Sequence, residues 1–107
     1  MINLEKIARQ LGFEMQEVQM LLEMFLETAS LSMQSLEDAI NAKDFESIKQ
    51  EAHSLKGSAA NLMLDDIFNI SKELEDAAKD KLDINYKRIY SLLETQLNSL
   101  KEEECLL

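Results

Sequence analysis

His53, the single histidine among 107 residues, is the one side chain whose ordinary pKa lies near neutrality. Lys56 stands three residues on and Gly57 four, one of only two glycines in the chain. In a helix those offsets bring both positions beside the imidazole. Helical side chains lean toward the N-terminus, so residue i+4 ordinarily covers residue i, and a glycine there leaves the ring bare. Glycine in a helix interior costs roughly 1 kcal/mol relative to alanine, so its presence at position 57 implies a compensating use. Ala60, one turn further on, keeps the surround low. The Lys56 ammonium is placed to pair with an anion carried on the imidazole. An uncovered nitrogen nucleophile beside a cation suits phosphoryl transfer. A phosphoryl group adds up to about two negative charges, which an acidic surface resists unless a local cation offsets them.

Other chemistries find little support. Ser54 and Ser58 read as solvated helix positions, since Ser54 adjoins His53 in sequence and points elsewhere, and no catalytic triad follows. Cys105 is the only cysteine, which excludes an internal disulfide and a four-thiolate metal site. No carboxylate spacing resembles a calcium loop and no glycine-rich stretch resembles an ATP-binding loop, so no metal or cofactor is expected on this chain. Eleven basic against 21 acidic residues give a net charge of −10, which disfavours nucleic acid or an anionic membrane as partner. With 46% hydrophobic residues the chain is too apolar for a disordered acidic tail. It contains no apolar run of membrane-spanning length and no signal-peptide pattern at its start, so a cytoplasmic protein is expected.

The elements that must position His53 are helices. The sequence has no proline, and its only glycines are Gly12 and Gly57, so the residues that punctuate sheets and hairpins are nearly absent. Asn3 is placed to cap a short α1 over about 3–11 that carries Leu4, Ile7 and Leu11, with Gly12 ending it. Val18, Leu22, Phe25, Ala29, Ser32, Leu36 and Ala39 form one seam of an α2 spanning about 14–42, roughly 40 Å long. A helix of that length needs neighbours. Asp44 caps α3 (about 45–61), with Phe45, Ile48, Ala52, Leu55, Ala59 and Leu62 inward. Asp65 is expected to cap α4 (about 66–79), with Ile67, Ile70, Leu74 and Ala77 inward. Asp83 is expected to cap α5 (about 84–102), with Ile89, Leu93, Gln96 and Leu100 inward. The tail from Glu102 to Leu107 is expected to fray. Short connections favour antiparallel neighbours, so residues 1–107 read as one all-α domain: an antiparallel up-down four-helix bundle with a short accessory N-terminal helix. On α3 the seam centres near Ala52 and Ala59, leaving His53 roughly 130° away and facing solvent.

The run Ala52-His53-Ser54-Leu55-Lys56-Gly57-Ser58-Ala59-Ala60-Asn61-Leu62 closely resembles the core motif of histidine-containing phosphotransfer (HPt) domains, A-H-x-L-K-G-x-A. The likeness extends from the long second helix, with Phe25 and Leu26, to Leu74 and Glu75. The resemblance implies a phosphorelay carrier. His53 would accept a phosphoryl group from a receiver-domain aspartate or a sensor kinase and pass it on, Lys56 would stand beside the phosphate, and Gly57 would make room for the receiver. Glu75 occupies the place where family members often hydrogen-bond the imidazole. Accepting from Nδ1–H, it would leave Nε2 with the free lone pair. Lys72, one turn before Glu75, is a candidate for added positive charge. The chain departs from the family at Met63, where a small residue is usual, and Asn61 could supply the left-handed turn instead.

Partners implied by the resemblance are a response-regulator receiver domain or a hybrid sensor kinase. The receiver would carry the Mg²⁺, and the chain itself would be a monomeric carrier rather than an enzyme. Met15, Met20 and Met24, with Leu21, Leu22, Phe25 and Leu26, make the start of α2 apolar on more than one face. That surplus is either covered by α1 or offered to a receiver through Ile7, Leu11, Leu21, Leu22 and Ala60. The alternative function is a helical adaptor that binds signalling partners without carrying phosphate.

Overall fold

The structure, a computed structural model, describes residues 4–105, and within them every regular element is an α-helix. The helices are α1 (Leu4–Leu11), α2 (Met15–Asn41), α3 (Phe45–Asn61), α4 (Asp65–Lys79) and α5 (Tyr86–Cys105). The expected Asn3 cap lies outside the described residues. Helix α2 packs against α3 and α5, α3 against α4, and α4 against α5, while α1 lies on α2. The molecule is elongated, 42 × 21 × 19 Å, and its long axis matches the length of α2.

Four helices end in the same way. The amide of Phe13 reaches Ala8 O (2.9 Å), Asp44 reaches Ala39 O (2.9 Å), Leu64 reaches Ala59 O (2.9 Å) and Leu82 reaches Ala77 O (3.0 Å). Such bonds close a helix through one residue in the left-handed region, and that residue is Gly12, Lys43, Met63 or Lys81, with φ of 73°, 54°, 56° and 53°. Met63 therefore takes the left-handed conformation itself, while Asn61 remains helical, contrary to the expectation that Asn61 would make the turn. The reason lies in the hydrogen bonds: closing the helix on Ala59 O and Ala60 O fixes residue 63 as the reversal point. Leu64, the residue after it, is buried and ties the turn to the core.

Asp44 closes α2 and starts α3, its carboxylate accepting from the Ser47 amide (3.2 Å) and hydroxyl (2.7 Å). The other two expected aspartate caps are displaced. Asp65 lies within the first turn of α4, after Leu64, where its charge faces the positive helix end. Asn85, not Asp83, caps α5, accepting from the Arg88 amide at 3.1 Å. The connection before α5 is correspondingly longer than expected, and α5 continues through Cys105 where fraying from Glu102 was expected.

The core follows the predicted seams with three changes of one residue. Met33 is buried where Ser32 was expected, Ser71 where Ile70 was, and Leu97 where Gln96 was. Ser32, Ile70 and Gln96 are half-buried at the margin, as are Leu11 and Phe45, which the seams of α1 and α3 also place inward. Helices α3 and α4 pack most extensively of all pairs, and both bury small residues: Ala52 and Ala59 on α3, Ser71, Ala77 and Ala78 on α4. Ser71 is fully buried and its hydroxyl has no hydrogen-bond partner.

Candidate functional site

The register of α3 decides where His53 points. With Ile48, Ala52, Leu55 and Ala59 buried, the next position after Ala52 is turned outward and leans over the α3–α4 edge. The imidazole side chain is 69% exposed. On α4, Leu74 is buried and Glu75 follows it, so Glu75 leans over the same edge from the other side.

The two meet. His53 Nδ1 lies 2.6 Å from Glu75 Oε2, and Lys56 Nζ lies 2.6 Å from Glu75 Oε1. One carboxylate thus holds both groups, each by its own oxygen. Lys56, by hydrogen bonding, and then His53 hold the Glu75 carboxyl below its ordinary range, against the opposing effect of its burial. An ionised carboxylate only accepts, so Nδ1 carries the proton in this contact. The neutral ring then keeps its lone pair on Nε2, on the solvent side.

The Lys56 ammonium is drawn onto Glu75 and its side chain is only 25% exposed, whereas an open cation beside the imidazole was expected. This ion pair is a contact that sequence reasoning missed. The one available signal was that Glu75 was assigned to the His53 edge, which Lys56 shares. Gly57 is open as expected: a Cβ built there meets nothing within 4 Å. Ala60 is exposed on the following turn.

Lys72 does not join the cluster. It is exposed and lines a surface hollow with Asn69, Glu73, Asp76 and Asp80, and the groups acting on Glu75 are Lys56 and His53. The expected docking residues also divide. Ile7 and Leu22 are buried and Leu11 and Leu21 half-buried; α1 packs on α2, and Leu22 lies in the inward seam of α2 with Val18 and Phe25. Ile7 and Leu22 therefore belong to the core and offer no surface to a partner. The apolar surplus left exposed at the start of α2 is Met15, Met20 and Met24.

Among the described residues no group of three or more His, Cys, Asp and Glu side chains is placed to hold a metal ion, and no helix is long and apolar enough to cross a membrane. A family model described as the Hpt domain matches residues 20–103, nearly the whole chain. Comparison with curated proteins and with solved structures returns no significant match.

Proposed function

Because this chain belongs to the Hpt domain family of phosphocarrier modules, we propose that it carries a phosphoryl group on Nε2 of His53 between a receiver-domain aspartate, or a sensor kinase, and a second receiver. The observation that carries the reading is the 2.6 Å contact between Nδ1 and the Glu75 carboxylate on a ring that is otherwise open.

In the forward step the Nε2 lone pair attacks phosphorus of the partner's aspartyl phosphate. The N–P bond forms, the bond from phosphorus to the aspartate oxygen breaks, and the carboxylate leaves with its electron pair. No proton moves, since Nδ1 keeps its own. The ring becomes positive as its lone pair is given up, and Glu75 stands where that charge develops. The same charge keeps the N–P bond labile, which suits a group that must be passed on. Lys56, held on the same carboxylate as the ring, turns from Glu75 Oε1 toward a phosphoryl oxygen. Gly57 and Ala60 leave the approach low. The receiver's own acidic pocket and its Mg²⁺ supply most of the transition-state stabilisation, and this chain supplies the oriented nucleophile.

In this reading helices α2 to α5 form an antiparallel up-down bundle with α1 as accessory. The chain acts as a cytoplasmic monomer without ATP chemistry of its own. The test is incubation with a receiver domain phosphorylated on its aspartate. Label should move to the wild-type chain and not to His53→Gln. Absence of transfer from every receiver and kinase tried would leave the adaptor function, and release of inorganic phosphate without labelling of the chain would indicate a receiver phosphatase.

A further inference from the structure

The outer face of α2 carries a stripe that the phosphoryl chemistry does not use. Met20, Met24 and Leu31 are 58%, 58% and 65% exposed. Counted at 100° per residue they fall within about 40° of one another, on the side opposite the buried Val18, Leu22, Phe25, Ala29 and Leu36. They run along about 16 Å, three turns of helix. Single exposed apolar residues are ordinary, but three aligned on one helix face form a line that a second helix can cover.

Charge decides what kind of helix. The ionisable residues of α2 are Glu17, Glu23, Glu27, Glu37 and Asp38, with no lysine or arginine over its whole length. Glu27 lies in the stripe itself, between Met24 and Leu31, while Glu17 and Glu23 flank it. Glu104, near the end of α5, favours the protonated form of Glu23, as acceptor for its carboxyl proton and by charge repulsion, which raises the Glu23 carboxyl above its ordinary range. Carboxylates of two helices are thus crowded at one margin of the stripe. A second copy of this chain would bring the same acids against them under a net charge of −10, and an anionic bilayer is repelled likewise. A cationic partner relieves the crowding.

We propose that the outer face of α2 is a docking surface for a basic amphipathic helix of another protein, its apolar positions covering Met20, Met24 and Leu31 and its lysines or arginines meeting Glu17, Glu23 and Glu27. Flexible methionines adapt to differently shaped apolar partners, which fits a surface that takes a class of helices. The stripe and the phosphoryl site lie on different helices: His53 is on α3 and its partner Glu75 on α4, a helix that makes no packing contact with α2.

The test uses the full chain and a fluorescein-labelled peptide of about 18 residues, five turns, with leucines on one face and lysines on the other. Anisotropy is followed at about 0.15 M salt, where charge attraction alone is largely screened. The wild-type chain should bind the peptide. Met20→Ser/Met24→Ser/Leu31→Ser, which leaves every charge in place, should weaken binding about tenfold or more with unchanged circular dichroism. Glu23→Gln/Glu27→Gln should weaken it with a shallower salt dependence. Equal affinity of the triple-serine variant would reduce the binding to non-specific charge attraction and overturn the proposal. So would self-association of the wild-type chain that the triple variant abolishes, since the occupant would then be a second copy. Phosphoryl transfer to His53 is measured on the same samples. It should continue with peptide bound, and its failure in the absence of peptide would bear on the phosphocarrier reading alone.

Discussion

Three of the four helix-closing turns place a non-glycine residue in the left-handed region, and replacing it with glycine should be felt as stability. Lys43 and Lys81 are exposed, with φ of 54° and 53°. An L-residue in this region costs about 1–2 kcal/mol. Glycine removes that cost but enlarges the unfolded ensemble by about 0.4–1 kcal/mol, so the net gain for Lys43→Gly or Lys81→Gly is roughly 0.5–1 kcal/mol. For a domain of this size that raises Tm by about 2–8 °C. Lys43→Ala and Lys81→Ala keep the strained φ while removing the same charge, so each glycine is compared with its alanine. Met63→Gly provides the contrast. Its side chain is half-buried against the core, and the roughly 1 kcal/mol of lost burial cancels the relief of strain. Urea unfolding followed by circular dichroism reads all five variants. Glycine variants at 43 and 81 no more stable than their alanine counterparts would refute the argument that these turns are strained.

Three further outcomes follow from particular contacts. Ser71→Ala should leave stability unchanged or raise it by up to about 1 kcal/mol in urea titration, because the buried hydroxyl satisfies nothing; a clear loss would mean that it has a partner. Glu75 is depressed below its ordinary 4.5, so the stability it contributes is complete above pH 4.5 and is lost as pH falls through its lower folded value. The stability difference between wild type and Glu75→Gln should therefore shrink as pH is lowered from about 6 to 3, and a constant difference would contradict the ion pair. Gly57→Ala should stabilise the helix by roughly 1 kcal/mol, since its Cβ meets nothing. Gly57→Leu should keep full helicity yet slow transfer from a phosphorylated receiver about tenfold or more, and an unchanged rate would dismiss the steric role of the glycine.

The parts of the molecule legible in the sequence are those governed by local rules. Apolar spacing located the five helices, and the position of His53 one residue past Ala52 placed its ring outward, because periodicity alone sets which face a residue occupies. What escaped depended on neighbours in space. Ser71 lies in the core and Ile70 at its margin, an order that hydropathy counts against, since a serine scores as polar whatever packs over it. Leu22 and Ile7 lie on the inward faces that their spacing predicts, which leaves them unavailable as docking residues. Met63 took a conformation that its residue type disfavours because the hydrogen bonds closing α3 leave no other reversal point. Lys56 was read at its own helix position, and only the tertiary approach of Glu75 showed that its ammonium is already engaged.

Phosphoryl transfer through His53 depends on which imidazole nitrogen is free. The chain is phosphorylated from a labelled receiver and examined by NMR, using couplings between phosphorus and the ring protons to identify the bonded nitrogen. The expected product carries one acid-labile, alkali-stable phosphoryl group on Nε2 of His53, with Nδ1 still protonated toward Glu75. Phosphate on Nδ1, or on any other residue, would contradict it.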